Sequence, residues 1–149
     1  MDFYEEIEIG EHEAEMFGRG LYAVARAEGG VHEREEALIA SFLDEVAGGK
    51  TTLASLARLA PPSPEELASV ITRPEAARLF LKTALLLAYV DGSFAPEERT
   101  LILDFASALG VSDKELATME QGVREYLLGH LVHLKNVDAV RRIAKELGM

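Results

Sequence analysis

Leu85-Leu86-Leu87-Ala88-Tyr89-Val90-Asp91-Gly92-Ser93-Phe94-Ala95-Pro96-Glu97-Glu98-Arg99 is the stretch whose reading decides the fold. An unbroken apolar run ends at an acid followed by Gly92, the residue that enters a left-handed turn at least cost. Phe94 then plugs the core. Pro96 pre-sets the first helical position, and Glu98 stands in the first turn of the helix that follows. The segment therefore reads as helix, tight turn, helix.

The same pattern occurs once more, 63 residues upstream, as Glu28-Gly29-Gly30-Val31-His32-Glu33-Arg34-Glu35. At that offset Phe17 aligns with Phe80, Ala25 with Ala88, and Glu35 with Glu98. Leu38, Ile39 and Phe42 align with Leu101, Ile102 and Phe105, Val46 with Leu109, and Leu53 with Leu116. Agreement of core positions across two helices and the turn between them, without a gap, marks an internal repeat. The expectation is a duplicated helical hairpin, all-α, with two halves at about 16–60 and 74–130 packed about a pseudo-two-fold axis.

Outside the turns, helical periodicity continues. Phe17, Leu21, Val24 and Ala25 share one face, as do Leu38, Ile39, Phe42, Leu43 and Val46. A short helix is expected over Thr51 to Leu59, before Pro61, Pro62 and Pro64 interrupt the pattern. Ser63 with Glu66, and Ser112 with Glu115, have capping-box spacing. Pro74 opens a long apolar helix to about Val90, expected to be buried between the halves. Gly110 ends the helix begun at Pro96. A last helix is expected near Val137 to Leu147, and about seven helices in all. No segment alternates with the period of a strand.

The chain has 149 residues, no Cys and a net charge of −11. The first feature allows one ordinary domain; the second excludes disulfides, thiol catalysis and thiolate metal sites. The charge opposes nucleic-acid binding and docking on anionic lipid, and fits a protein that attracts cations or basic partners, or one that is simply very soluble, which is the simpler reading of the charge by itself. Seven acids and no Lys or Arg lie in residues 1–15, which read as an acidic arm with Phe3, Tyr4, Ile7 and Ile9 available to pin it to the 16–149 domain. The acidic N-terminus is unlike a signal peptide, and the longest apolar run, Ala84 to Val90, is far short of a membrane span. A cytoplasmic protein without direct membrane insertion is expected.

The Leu85–Arg99 segment, with its Asp-Gly turn and Pro-Glu-Glu helix start, resembles the signature of the tellurite-resistance TerB family. The resemblance spans roughly Phe17 to Tyr126. It implies an all-helical, internally duplicated domain of stress responses, with acids gathered on one face and a divalent cation held there. Asp91 and Glu98, joined by Glu28 and Glu35, would be the ligands, and Ca²⁺ or Mg²⁺ the ion those hard oxygens suit. Glu28 departs from the pattern, which has Asp at that position. Such domains also occur at the N-terminus of some DnaJ-type membrane co-chaperones, so the resemblance further implies a protein partner, basic or part of a membrane-associated stress complex.

The residues by themselves leave a second reading open. Glu98 and Glu35 each sit where a carboxylate reaches back to free N–H groups at a helix start, and Asp91 suits an Asx-type turn. A Ca²⁺ ion wants 6–8 oxygens, and one acid–Glu pair offers roughly two to four. His130 and His133 have a spacing zinc uses, without a third ligand in view, and a surface position is the simpler reading. Gly48-Gly49-Lys50-Thr51 imitates the end of a phosphate-binding loop, but Asp44 replaces the required first glycine and no strand precedes it. The function expected is a non-enzymatic stress-response adaptor that takes a divalent cation on its acidic face. The alternatives are a pure protein–protein interaction module whose acids cap helices and, third, a metal-dependent hydrolase. Oligomeric state is not encoded in any pattern here.

Overall fold

A computed structural model describes residues 9–27, 33–47, 53–89 and 94–131. Seven helices, and no strand, occur among them: α1 Glu11–Arg26, α2 Glu33–Ala47, α3 Leu53–Ala57, α4 Pro64–Val70, α5 Pro74–Tyr89, α6 Pro96–Ala108 and α7 Asp113–Leu131. The all-α class follows as expected. The helix expected near Val137–Leu147, His133, the glycine-rich Gly48–Thr51 stretch and both acid-Gly turns lie outside the described residues, and so do Phe3, Tyr4 and Ile7 of the arm.

The helix starts divide the capping box between them. At α4 and α7 a serine hydroxyl accepts the amide three residues on: Glu66 N–H to Ser63 Oγ at 3.1 Å, Glu115 N–H to Ser112 Oγ at 3.2 Å. The carboxylate of Glu66 does not complete a box; it faces Arg19 Nη1 at 3.4 Å instead. At α1 and α6 the cap residues, Gly10 and Ala95, have no side-chain acceptor, and the reverse bond forms. Gly10 N–H donates to Glu13 Oε1 and Ala95 N–H to Glu98 Oε1, each at 3.1 Å. Gly110 has φ +77° after α6, the left-handed turn a glycine tolerates.

The long central helix α5 is buried at every position from Ala76 to Tyr89 except Arg78 and Lys82, and it packs against α1, α2, α6 and α7. Its apolar composition on all sides is what a helix enclosed by others requires. Thr83 satisfies its buried hydroxyl by donating to Leu79 O at 2.8 Å. No helix among the described residues is long and apolar enough to cross a membrane.

Four phenylalanines run through the core in the order Phe42, Phe17, Phe80, Phe105. Phe17–Phe42 and Phe80–Phe105, equivalent pairs at the 63-residue offset, both have ring centroids 5.7 Å apart, but the first is stacked at 7° and the second edge-on at 72°. Phe17 meets Phe80 at 5.6 Å, edge to face. Glycines on α1 allow this approach. A methyl at Gly20 would stand 2.7 Å from the Phe80 ring, and one at Gly18 2.8 Å from Leu56 Cδ1. Each glycine costs about 1 kcal/mol of helix propensity, and the close contact of neighbouring helices explains its place.

Candidate functional site

Of the four acids proposed as ligands, Glu35 and Glu98 lie among the described residues and Glu28 and Asp91 lie outside them. Both described carboxylates are inside the protein, at 2% and 1% exposure. A glutamate is rarely so buried unless its oxygens are engaged. Glu98 is engaged at once: its Oε1 takes the Ala95 N–H that would otherwise be an orphan donor at the start of α6. No group of three or more His, Asp or Glu side chains placed to hold a metal ion occurs among the described residues.

The signature segment also gathers a polar network that sequence reasoning missed. Tyr89, on the last turn of α5, is 2% exposed. Its hydroxyl donates to Glu120 Oε1 of α7 at 2.6 Å. Arg99, in the first turns of α6, donates to both oxygens of the same carboxylate, Nη2 to Oε1 at 2.8 Å and Nη1 to Oε2 at 3.3 Å. Arg124, one helical turn beyond Glu120, donates from Nε to the Tyr89 oxygen at 3.4 Å. Phe94 is the apolar centre of the group. The Tyr89 ring meets it edge-on at 4.9 Å, and the Arg99 guanidinium lies 4.3 Å over its face. The two helices that flank the Asp-Gly segment in sequence, α5 and α6, are thereby tied to each other and to α7.

Burial alone would raise the Glu120 carboxyl. Hydrogen bonds from Arg99 and Tyr89, with the charges of Arg99 and Arg124, outweigh it and hold the group below the ordinary glutamate range. Tyr89 moves the other way, pushed up chiefly by burial and then by its bond to the Glu120 carboxylate. Arg99 is held more firmly protonated, first by the hydrogen bonds to Glu120. At neutral pH the network is thus one carboxylate, one neutral phenol and two guanidiniums, an arrangement in which every charge has a partner.

The first copy of the repeat does not carry the residues for such a brace. Sixty-three residues before Tyr89, Arg99 and Glu120 stand Arg26, Glu36 and Ala57. Arg26 lies 4.7 Å over the Tyr22 ring instead. The only sequence signal for the missed network was the Glu120/Arg124 pair, four apart on one helix; nothing local ties it to Tyr89.

No curated protein and no solved structure matches the chain. A family model described as "Tellurite resistance protein TerB" matches residues 20–121. That span runs from α1 into α7, through both copies of the repeat and the whole Tyr89–Arg99–Glu120 brace. More than half of the chain is matched, and the chain therefore belongs to the TerB family.

Proposed function

We propose that the chain is a non-catalytic adaptor domain of a tellurite-linked stress response, working through contact with a protein partner. In this reading the acids of the repeated motif hold helix starts. The observation that carries it is the Glu98 carboxylate, 1% exposed and accepting the Ala95 N–H at 3.1 Å. Around it, Tyr89 and Arg99 of the same segment are committed to Glu120. Groups that serve as each other's partners make a rigid scaffold and a poor set of general acids or nucleophiles, which need a substrate-facing lone pair or proton. The equal spacing of the two Phe pairs supports a duplicated origin for the halves.

A second reading rests on a different observation: the repeat-equivalent Glu35 and Glu98 are both buried, in a protein of net charge −11. With Glu28 and Asp91 they would offer oxygens to Ca²⁺ or Mg²⁺. Complementation separates the two. The proposal expects tellurite sensitivity to rise in a host cell whose own copy has been deleted. The adaptor reading expects Asp91→Asn to restore resistance as well as the unchanged chain does. Failure of that variant to complement, at unchanged protein level and fold, transfers the support to the cation reading. Unaltered tellurite sensitivity on deletion removes the link to that stress.

A further inference from the structure

Arg58-Leu59-Ala60-Pro61-Pro62-Ser63-Pro64 joins α3 to α4, and the needs of the two helices do not account for all of its prolines. Backbone turns already close α3: Arg58 N–H donates to Ser55 O at 3.3 Å and Leu59 N–H to Leu56 O at 3.0 Å. Pro64 opens α4. Pro61 neither ends the one helix nor starts the other. What the prolines fix is the backbone between the helices. Their rings hold φ at about −65°. Ala60, Pro61 and Ser63 each precede a proline, which drives them out of the α region into extended backbone. Ser63 accordingly has φ −71° and ψ 159°, within the scatter of a polyproline II helix.

Such a helix turns once in about three residues. Pro61 and Pro64 therefore share one edge, Ala60 and Ser63 a second, and Pro62 stands on the third. Burial follows that division: Pro62 is buried, Ala60, Pro61 and Ser63 are exposed, and Pro64 is half-buried. Arg19 of α1 fixes the segment to the body, donating from Nη2 and Nε to Ala60 O at 2.9 and 3.3 Å. Neither the Pro61 nor the Pro62 carbonyl accepts a hydrogen bond among the described residues. The charge of the segment is also unlike that of the rest. Residues 46–64 are the longest run of this acidic chain without an Asp or Glu. Arg58 is exposed and faces no carboxylate among the described residues. Leu59 beside it is an exposed apolar side chain, at 37%. The nearest acids, Glu65 and Glu66, follow Pro64 at the opposite end, and Glu66 faces Arg19 at 3.4 Å.

We propose that residues 58–64 are a docking segment for a protein domain with an aromatic-lined groove and a carboxylate at one end of it. The two solvent-facing edges, Pro61 with Pro64 and Ala60 with Ser63, enter the groove as proline-rich ligands do. Arg58 pairs with the carboxylate. The segment is held in place by Pro62 and Arg19, so docking is spared the ordering cost that a free peptide meets. This gives the adaptor of the preceding reading its contact surface and rests on that reading.

The probe is an isotope-enriched SH3 domain with acidic residues at one end of its aromatic groove, titrated with the full-length chain and read by NMR. The expected result is a set of shifts confined to the groove. Arg58→Glu and Pro61→Ala, both at exposed positions, should each weaken binding about tenfold or more, as loss of a charge-assisted pair or a groove contact does. Circular dichroism checks that each variant keeps the fold. Arg78→Glu makes the same charge change at another exposed arginine without a carboxylate partner among the described residues, and should leave binding as it was. Absence of groove shifts at about 1 mM chain, where even a millimolar Kd is detected, overturns the proposal. So does binding that Pro61→Ala leaves intact, or an equal loss in Arg58→Glu and Arg78→Glu, which reduces the contact to charge. Binding is read here without tellurite, so its failure is distinct from a failure of the complementation that tests the adaptor reading.

Discussion

Tyr89 and Glu120, 31 positions apart in sequence, are joined by a hydroxyl-to-carboxylate bond of 2.6 Å that ties the end of α5 to the middle of α7. The bond is short because the acceptor is charged and the phenol is buried. It places the last turn of α5, just before the Asp-Gly segment, under the control of a helix from the end of the matched domain. Phe94 and Arg99, on the other side of that segment, are drawn into the same group. The signature residues therefore set the relative positions of α5, α6 and α7.

Removing this bond should be measurable. Tyr89→Phe keeps the ring against Phe94 and deletes the donor, leaving Glu120 to the two arginines. A loss of about 1–2 kcal/mol is expected, the range for a hydrogen bond to a charged group partly offset by remaining partners. In a domain of this size that is roughly 3–6 °C in Tm. An unchanged Tm would mean that Arg99 and Arg124 alone hold α7.

The same pair predicts a pH dependence with two limbs. Glu120 has a lowered pKa in the folded chain, so its contribution is present above the ordinary value of 4.5 and is lost as pH falls below it. Tyr89 has a raised pKa, so its contribution is complete below the ordinary value of 10.0 and is lost as pH rises beyond it. Glu120→Gln should flatten the acid limb of stability against pH, and Tyr89→Phe the alkaline limb. Denaturant titrations across both ranges check each slope; parallel curves for variant and unchanged chain would contradict the assignment.

Two glycines should respond with opposite sign to the same substitution. Gly20→Ala gains helix propensity but drives a methyl to 2.7 Å from the Phe80 ring in a closed core, and a net loss of about 1–3 kcal/mol is expected. Gly122, in α7, has open space where a Cβ would go, and Gly122→Ala should stabilise by about 0.5–1 kcal/mol. Chemical unfolding of the pair decides it, and stabilisation by both would show that the α1–α5 contact yields easily.

The fold is legible in the sequence because its signals are local and repeat. Proline and glycine mark where helices begin and end, and a 63-residue offset by itself aligns Phe17 with Phe80 and Phe42 with Phe105. The Glu98 cap is legible for the same reason, since donor and acceptor are three residues apart. The site is legible only in part. Glu120 joins Tyr89 and Arg99 through tertiary packing of three helices, and Glu13 reaches Arg73 across 60 residues. No local spacing encodes such pairs. The half-formed box at Ser63 has a similar origin: Glu66 has the right spacing, but Arg19 of α1 lies opposite its carboxylate.

Glu98→Ala removes the acceptor that closes the start of α6 and leaves the Ala95 amide unpaired in the interior. The cost expected is about 1–3 kcal/mol, as for a lost cap with a buried unsatisfied donor. Glu98→Gln retains an acceptor oxygen and should cost less. The reverse order of the two variants would show that the charge, rather than the hydrogen bond, is what the position requires.

The most direct test of the claim that these acids hold helix starts is thermal unfolding of chelator-stripped protein, with and without Ca²⁺, Mg²⁺, Mn²⁺ or Zn²⁺ at matched ionic strength. The unchanged chain would be compared with Glu98→Gln. The structural role predicts the same Tm in every cation, and a variant whose offset from the unchanged chain does not depend on the ion. A cation-selective rise would contradict it, if it were of the order of 2.7 kcal/mol at about 100 times Kd, roughly 5–10 °C, and absent from Glu98→Gln.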